Sequence, residues 1–342
     1  MHRLGGKGIL LEATADCVVW SVAILAALGA VPALVRLRLS ARPTALWPAW
    51  QWLALTYSAP ALVETACRVV GQGWWLGHAR WLAATATLAP VVAVFGARRP
   101  HERAWRFVVL TFLLLLALPA VEGAALRGET QPLLHTAHRA LVMIVAGAGW
   151  INYLFTRHAL AATFWLAAEA CWLGPWVMGW EAMDPAAGAA WGQVLFAAGL
   201  HLAVWRARRS GVMAPHDALW LEFRDGFGLV WAWRLLERYN TQSRRQSWGW
   251  RLGWAGFEAS CEARSCSAGS TDGIPRGEAG AALEGEAADK EQLKPGAQQV
   301  EQEQDRHQVE AASLPAPARA MLAGALRRFV SLDAIATRLG SV

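Results

Sequence analysis

Glu169 has more chemistry to offer than any other side chain in this sequence. It stands near the middle of the apolar run Ala159–Trp180. A carboxylate is expensive there and faces a bundle interior or a cavity. Two roles fit: a proton or cation relay, or a hydrogen-bonded acid tying helices together. Glu64 and Arg68 stand four apart in another apolar run, in the Glu-before-Arg order that favours a structural ion pair. Glu122, close to the end of a third run, fits a similar local role. His135 and His138 are spaced i, i+3 at the entry to one run, and His201 lies inside another. Imidazoles at such places can hold a metal or a haem. A hydrolytic metal centre would need several His with an Asp or Ser converging, and the depth of His201 differs from that of the pair. No motif calls for a cofactor; haem or metal stays as an alternative on these three histidines. The sequence has no glycine-rich phosphate loop, nucleophile elbow or paired-cysteine motif. Cys17, Cys67, Cys171, Cys261 and Cys266 show neither zinc nor disulfide spacing.

These side chains sit in a block, Asp16–Arg209, of apolar segments that follow one another closely. Hydrophobic residues make up 55% of the 342 residues and charged ones 17%, against about 25% charged in an ordinary soluble domain. Crossing ~30 Å of hydrocarbon takes about twenty helical residues. The expected spans are Asp16–Val35, Ala49–Val69, Arg80–Ala97, Ala104–Ala125, His138–Thr156, Ala159–Trp180 and Ala187–Trp205, after a head of residues 1–15. They lack the period-two alternation of barrel strands, so the fold class is all-α: a polytopic membrane bundle of seven spans. Five spans contain proline: Pro32, Pro60, Pro90, Pro119 and Pro175. The 21 tryptophans include Trp20, Trp50, Trp52, Trp81, Trp105, Trp180, Trp191 and Trp205 near span ends, the pattern of aromatic belts.

Basic residues set the orientation. Eleven Arg lie in the links after the first, third, fifth and seventh spans, against six Arg and Lys on the other side. The N-terminus is then outside and the C-terminus cytoplasmic, in a bacterial inner membrane. The net charge is +6, and Glu262–Ala312 holds eleven Asp/Glu against five Lys/Arg. The strong positive balance elsewhere reads as topology and anionic-lipid contact, with no nucleic-acid partner.

After the block, residues 210–259 begin with an amphipathic helix over Asp217–Arg238. Trp220, Phe223, Phe227, Val230 and Trp231 share one stripe, and Arg234 and Arg238 lie on the polar side. The expectation is docking on the inner membrane surface or on a partner, the competing arrangement being a small soluble domain closed by Trp248–Phe257. That Trp/Gly piece reads as a short hairpin or an interfacial loop. Residues 260–313 are low in large apolar side chains and read as a disordered acidic linker. Residues 314–342 return to helix, with a break near Ser331.

The stretch Phe223-Arg224-Asp225-Gly226-Phe227-Gly228-Leu229-Val230-Trp231-Ala232 resembles a segment of uncharacterised bacterial multi-spanning membrane proteins. There too it follows the last span and precedes a piece similar to Arg251-Leu252-Gly253-Trp254; Ala97-Arg98-Arg99-Pro100 and Arg103-Ala104-Trp105 extend the likeness. The resemblance implies the architecture and no activity. Trp176–Asp184 is similar to part of the Trp-rich outer loop of haem-exporting assembly proteins, without their full motif.

Three function classes follow. One is a non-catalytic membrane scaffold or assembly factor, no enzyme, that docks a protein partner through residues 210–342. The second is a transporter or sensor using Glu169 and the kinked spans, although the two halves show no internal repeat. The third is a haem- or metal-handling protein using His135, His138 and His201.

Overall fold

A computed structural model describes residues 6–71, 73–97, 102–180, 184–208, 214–259 and 314–330. The linker expected over 260–313 and the break expected at Ser331 lie outside the described residues. The chain divides into two compact units, Met1–Leu235 with Gly324–Ser341, and Leu236–Ala323 with Val342.

The first unit is helical. Helix α1 covers Gly6–Ala41, followed by α2 (Trp47–Thr56), α3 (Ala59–Val70), α4 (Leu76–Ala86), α5 (Ala89–Phe95) and α6 (Glu102–Val121). A π-helical turn, Glu122–Arg127, extends α6. Then come α7 (Thr136–Leu154), α8 (Ala159–Val177), α9 (Pro185–Arg208) and α10 (Pro215–Gln246), whose part up to Leu235 belongs to this unit. Four stretches are long and apolar enough to cross a membrane: Cys17–Ala41, Leu76–Phe95, Ala104–Ala125 and Pro185–Ala207. They correspond to the expected first, third, fourth and seventh spans.

Two expected spans are broken helices. Ala49–Val69 is interrupted at Tyr57–Ser58 and becomes α2 and α3, of 10 and 12 residues, each too short to cross alone. Arg80–Ala97 is interrupted at Thr87–Leu88 between α4 and α5. Each second piece carries proline in its first turn, Pro60 and Pro90. A proline has no N–H to continue the ladder to the carbonyl four residues back, and its ring pushes that carbonyl away. The head expected over residues 1–15 is helical from Gly6 onward, since α1 begins there.

Small residues let the helices approach. Ala23, Ala27, Ala30 and Ala33 of α1 are buried on the face that packs against α9. The opposite face leaves Leu25, Leu28 and Leu39 more than 60% exposed, as are Phe107 and Leu114 on α6. Outer faces of exposed leucine and phenylalanine suit an apolar solvent. The core combines Trp81, Leu88, Leu116, Ala168, Trp172 and Phe196.

Several indoles tie helices together. Trp81 is fully buried and donates to Leu116 O at 2.8 Å. Trp105 donates to Val92 O at 2.8 Å, Trp50 to Leu34 O at 2.9 Å and Trp172 to Ala189 O at 3.2 Å. The belt expectation suits Trp180, Trp191 and Trp205, which are exposed, and fails for Trp81.

The second unit contains the end of α10 and a two-stranded antiparallel hairpin, β1 (Trp250–Leu252) and β2 (Phe257–Ala259), in register Trp250↔Ala259 and Leu252↔Phe257. The Trp/Gly segment is therefore a hairpin. Asn240 fixes it to α10: Nδ2 donates to Leu252 O and Oδ1 accepts from Leu252 N–H, both at 2.8 Å. Tyr239 packs on Trp248 and edge-on to Phe257, at centroid distances of 5.6 and 5.2 Å. Burial pushes its phenol up to about 12. Helix α11 (Ala316–Leu326) begins in this unit and buries Ala318 and Leu322.

Candidate functional site

The break between α4 and α5 positions the first candidate. Thr87, left at the break, donates from Oγ1 to Ala84 O and lies 3.0 Å from Oε2 of Glu169 on α8. Glu169 is 1% exposed. Its Oε1 has no hydrogen-bond partner among the described residues. The Trp165 indole, one turn earlier on α8, lies beside the same carboxyl. The break between α2 and α3 is answered in the same way, by Gln193 of α9 donating to Tyr57 O at 3.3 Å.

Glu64 does not pair with Arg68. Its carboxylate takes a bidentate contact from Arg80 of α4, with Nε–Oε1 at 2.6 Å and Nη2–Oε2 at 2.7 Å. Both side chains are largely buried, at 19% and 9% exposure. The fork-to-fork geometry suits Arg80, which reaches across from the facing helix. Arg68 lies instead 5.7 Å over the Trp20 ring. Glu64 and Arg80 line a cavity of ≈ 20 Å³ with Cys171, Trp172 and Trp176, room for about one water.

The densest polar constellation centres on the interruption of α10. Gly228 has φ 79° and ψ −172°, a region open essentially to glycine alone. In an unbroken helix Val230 N–H would donate to Gly226 O. Here Asn152 of α7 takes over: its Oδ1 accepts from Val230 N–H at 3.0 Å, and its Nδ2 donates to Phe227 O at 3.3 Å. Tyr153 Oη donates to Gly226 O at 3.1 Å. Beside the break, buried Asp225 meets Arg224 Nε and Nη2 at 2.9 and 2.8 Å and Arg157 Nε at 3.0 Å. Arg157 N–H also donates to Asp225 Oδ1 at 3.3 Å, and Arg206 Nη1 donates to Arg157 O at 2.9 Å. Burial pushes the neighbouring His158 imidazole down to about 4, Arg157 adding to the effect, Asp225 opposing it, and Arg206 and Arg224 reinforcing it.

The aromatic stripe on α10 is not an open face. Trp220, Phe223 and Phe227 are almost wholly buried, and Trp231 nearly so. Phe329 stands edge-on to Phe223, Phe227 and Trp231, at centroid distances of 5.1, 5.2 and 5.2 Å. Its carbonyl accepts from Ala45 N–H, and Val330 bridges to Thr44. Trp231 Nε1 donates to Val94 O at 3.2 Å. Side chains expected at the lipid interface thus belong to the protein interior, because a segment distant in sequence closes over them. Val230 is half-buried, and Arg234 and Arg238 are exposed; Arg234 lies 5.1 Å over the Trp231 ring.

The three histidines do not converge. His201 Nε2 lies 2.8 Å from Gly29 O of α1. His135 and His138 are neighbours at a centroid distance of 6.0 Å, and His135 Nε2 is 3.8 Å from Glu122 Oε2. Among the described residues no three His, Cys, Asp or Glu gather as a metal set would.

Sequence reasoning missed Arg80 as the partner of Glu64, and missed Thr87, Gln193, Asn152 and Phe329 altogether. One signal was present: Asn152 and Asn240 are the only asparagines in the chain, and both serve as surrogate backbone. Comparison with protein-family models, with characterised proteins and with solved structures finds no match.

Proposed function

We propose that this chain is a non-catalytic membrane scaffold or assembly factor, spanning a bacterial inner membrane seven times with its N-terminus outside, which docks a protein partner through residues 210–342. The carrying observation is the clasp at Gly228. Asn152, Tyr153, Arg157 and Arg206 come from α7, the α7–α8 turn and α9, and together they brace the first half of α10. The bracing fixes the first half of α10 on the helices it packs against, which lowers the ordering cost of binding there. The polar groups of the apolar block support the same reading, since most of them link one helix to another.

The test is affinity purification of the full chain from its native membrane beside a chain ended after Arg209. A stoichiometric protein partner held by the first and lost from the second is expected. A full chain that purifies alone refutes the proposal, as does a partner retained after truncation. Reporter fusions at Arg42, Arg99, Arg127 and Arg209 are expected inside, inside, outside and inside; an outside signal at Arg209 overturns the topology.

The unpartnered Oε1 of Glu169 favours a second reading, a transporter or sensor in which this carboxyl relays protons or cations. Glu169→Gln keeps the hydrogen bonds of a protonated acid, with one donor and one acceptor group beside Thr87 Oγ1. It should leave stability unchanged if the acid only ties helices, and abolish a pH-dependent membrane flux if it relays.

A further inference from the structure

We propose that Glu169 and Gln193 hold an alkali-metal cation at the level where two neighbouring helices are broken. The inference rests on the transport reading of Glu169 and deepens it, by naming the ligand and its second contact.

Position is the first argument. Glu64 of α3 faces Arg80 of α4, and the two helices run antiparallel. Seven residues along the chain from Glu64 stands Tyr57, and seven along from Arg80 stands Thr87, so the two breaks lie side by side. Beyond them Ala49 of α2 packs with Ala89 and Ala93 of α5. Helices α8 and α9 are antiparallel as well: Trp172 meets Ala189 and Gly192, and Gly199 lies against Ala161 and Phe164. The turn of α9 that holds Gln193 therefore faces the turn of α8 that holds Glu169. Thr87 contacts Glu169, and Tyr57 O accepts from Gln193, so four elements bring these groups to one level.

The donor set is the second. Glu169 is 1% exposed and Gln193 0%. Each spends one polar atom on a break. Each keeps one oxygen, Oε1 in both, without a hydrogen-bond partner among the described residues. Bare acceptors in a buried place are costly. The two donors are oxygens, and only one belongs to a carboxylate. That set suits a hard ion of single charge, since a divalent one would leave a net charge in the apolar interior. The breaks add carbonyls, because Pro60 and Pro90 have no N–H for Thr56 O and Ala86 O. Those carbonyls stand at the C-terminal ends of α2 and α4, where the helix dipole favours a cation.

Exchange is the third. The Thr87 hydroxyl has a single hydrogen. Directed at Ala84 O, it leaves the contact with Glu169 to a proton on Oε2. Directed at Oε2, it holds the carboxylate. A cation can thus replace the acid proton with no helix moved. The cavity of ≈ 20 Å³ gives the approach. It is lined by Pro60, Ala84, Trp172 and Ala189, each one turn from Tyr57, Thr87, Glu169 and Gln193 in that order. The titratable groups along it are Glu64, Arg80 and Cys171, and the charges of the first two cancel.

The experiment uses the full chain in detergent micelles. Dicyclohexylcarbodiimide modifies protonated buried carboxyls, and mass spectrometry reads its addition to Glu169. Sodium and potassium chloride are titrated against choline chloride at equal ionic strength, with magnesium chloride beside them. An alkali cation is expected to abolish the labelling saturably, at a half-protecting concentration that falls as the pH rises; choline and magnesium are not. Gln193→Leu should raise that concentration about tenfold or more, as for any oxygen that contacts a charged ligand. Equal protection by choline overturns the proposal. So does stronger protection by magnesium, no protection by either alkali cation, or an unaltered concentration in Gln193→Leu. If Gln193→Leu does not fold, the wild-type salt series still decides. If the reagent does not reach Glu169, thermal unfolding decides: an alkali chloride should raise the unfolding temperature above that in choline chloride, and should not in Glu169→Gln. Flux into vesicles is measured separately. A pH-dependent flux without alkali protection refutes this site and leaves a proton relay, whereas protection without flux keeps the site and refutes transport.

Discussion

Replacing Gly228 by alanine tests the clasp most directly. A Cβ at Gly228 would lie 2.1 Å from Asn152 Nδ2, 2.5 Å from its Cγ and 2.6 Å from its backbone oxygen. The side chain could turn away, but the backbone oxygen moves only if α7 moves. Backbone in this glycine-only region costs a substituted residue about 1–3 kcal/mol, and overpacking a fitted interior about as much again. The expected loss is then roughly 2–6 kcal/mol of local stability. Asn152→Ala leaves Phe227 C=O and Val230 N–H without their partner, at about 1–3 kcal/mol for each group stranded in a buried place. The two changes share one contact, so the double variant should fall short of the sum by on the order of 1 kcal/mol. Hydrogen exchange of the segment 222–232 in the detergent-solubilised protein reads the local opening free energy. Faster exchange there, with the core of α4 and α8 unchanged, is the expected outcome. Gly228→Ala exchanging as slowly as wild type, or strictly additive effects, would refute the account of the break.

Glu64→Gln, by breaking a largely buried pair, should cost about 3–5 kcal/mol, whereas Arg68→Gln, with an exposed cation over Trp20, should cost less than about 1 kcal/mol; equal losses in thermal unfolding would return the ion pair to Arg68. His158 titrates at about 4 in the folded protein, below the ordinary imidazole value of about 6.5. The unfolded chain therefore takes up a proton that the folded one refuses, so stability is full above pH 6.5 and falls as the pH drops through the window toward 4. His158→Gln should flatten that slope, and an unaltered slope would assign it to other groups. Phe329→Ala empties the slot among Phe223, Phe227 and Trp231, a loss of about 3–5 kcal/mol for a buried phenylalanine. Trypsin should then cut the exposed Arg327 and Arg328 faster; an unchanged rate would mean that the ring does not hold the segment.

Periodicity and hydropathy made much of the architecture legible. The long runs without internal interruption, such as Ala104–Ala125 and Ala187–Trp205, correspond to helices, because a twenty-residue apolar segment has few other ways to satisfy its backbone. The interruptions were less legible. Pro60 and Pro90 were visible as kink sites, but whether a proline bends a helix or divides it depends on what the neighbouring helix offers the freed carbonyls. At the first break Gln193 of α9 donates to Tyr57 O, and at the second the break's own Thr87 donates to Ala84 O. Partner choice was hidden for a related reason. Spacing places Arg68 near Glu64 on one helix, but a bidentate fork from Arg80 on the facing helix matches both carboxylate oxygens, and only tertiary packing reveals that competitor. Phe329 was the least accessible of all, since sequence periodicity says nothing of a ring arriving from about a hundred residues away, a long-range closure whose entropy grows only slowly with length.

The two asparagines suggest how such sites become readable. A carboxamide presents one N–H donor and one carbonyl acceptor, the same pair that a peptide group presents. Asn240 uses both on Leu252 and so acts as one more rung beside β1. Asn152 uses both across the gap at Gly228, accepting from Val230 and donating to Phe227, so that the break in α10 strands neither group. In an apolar block a carboxamide is tolerated only where it finds such a pair, because leaving it unbonded costs several kcal/mol on the order of a whole helix contact. A lone Asn inside an apolar run is thus a sign that some other helix is broken opposite it. The glycine-rich Gly226-Phe227-Gly228 is the stretch where α10 can break. In this chain the residue types name both halves of the clasp, and the fold supplies only their meeting.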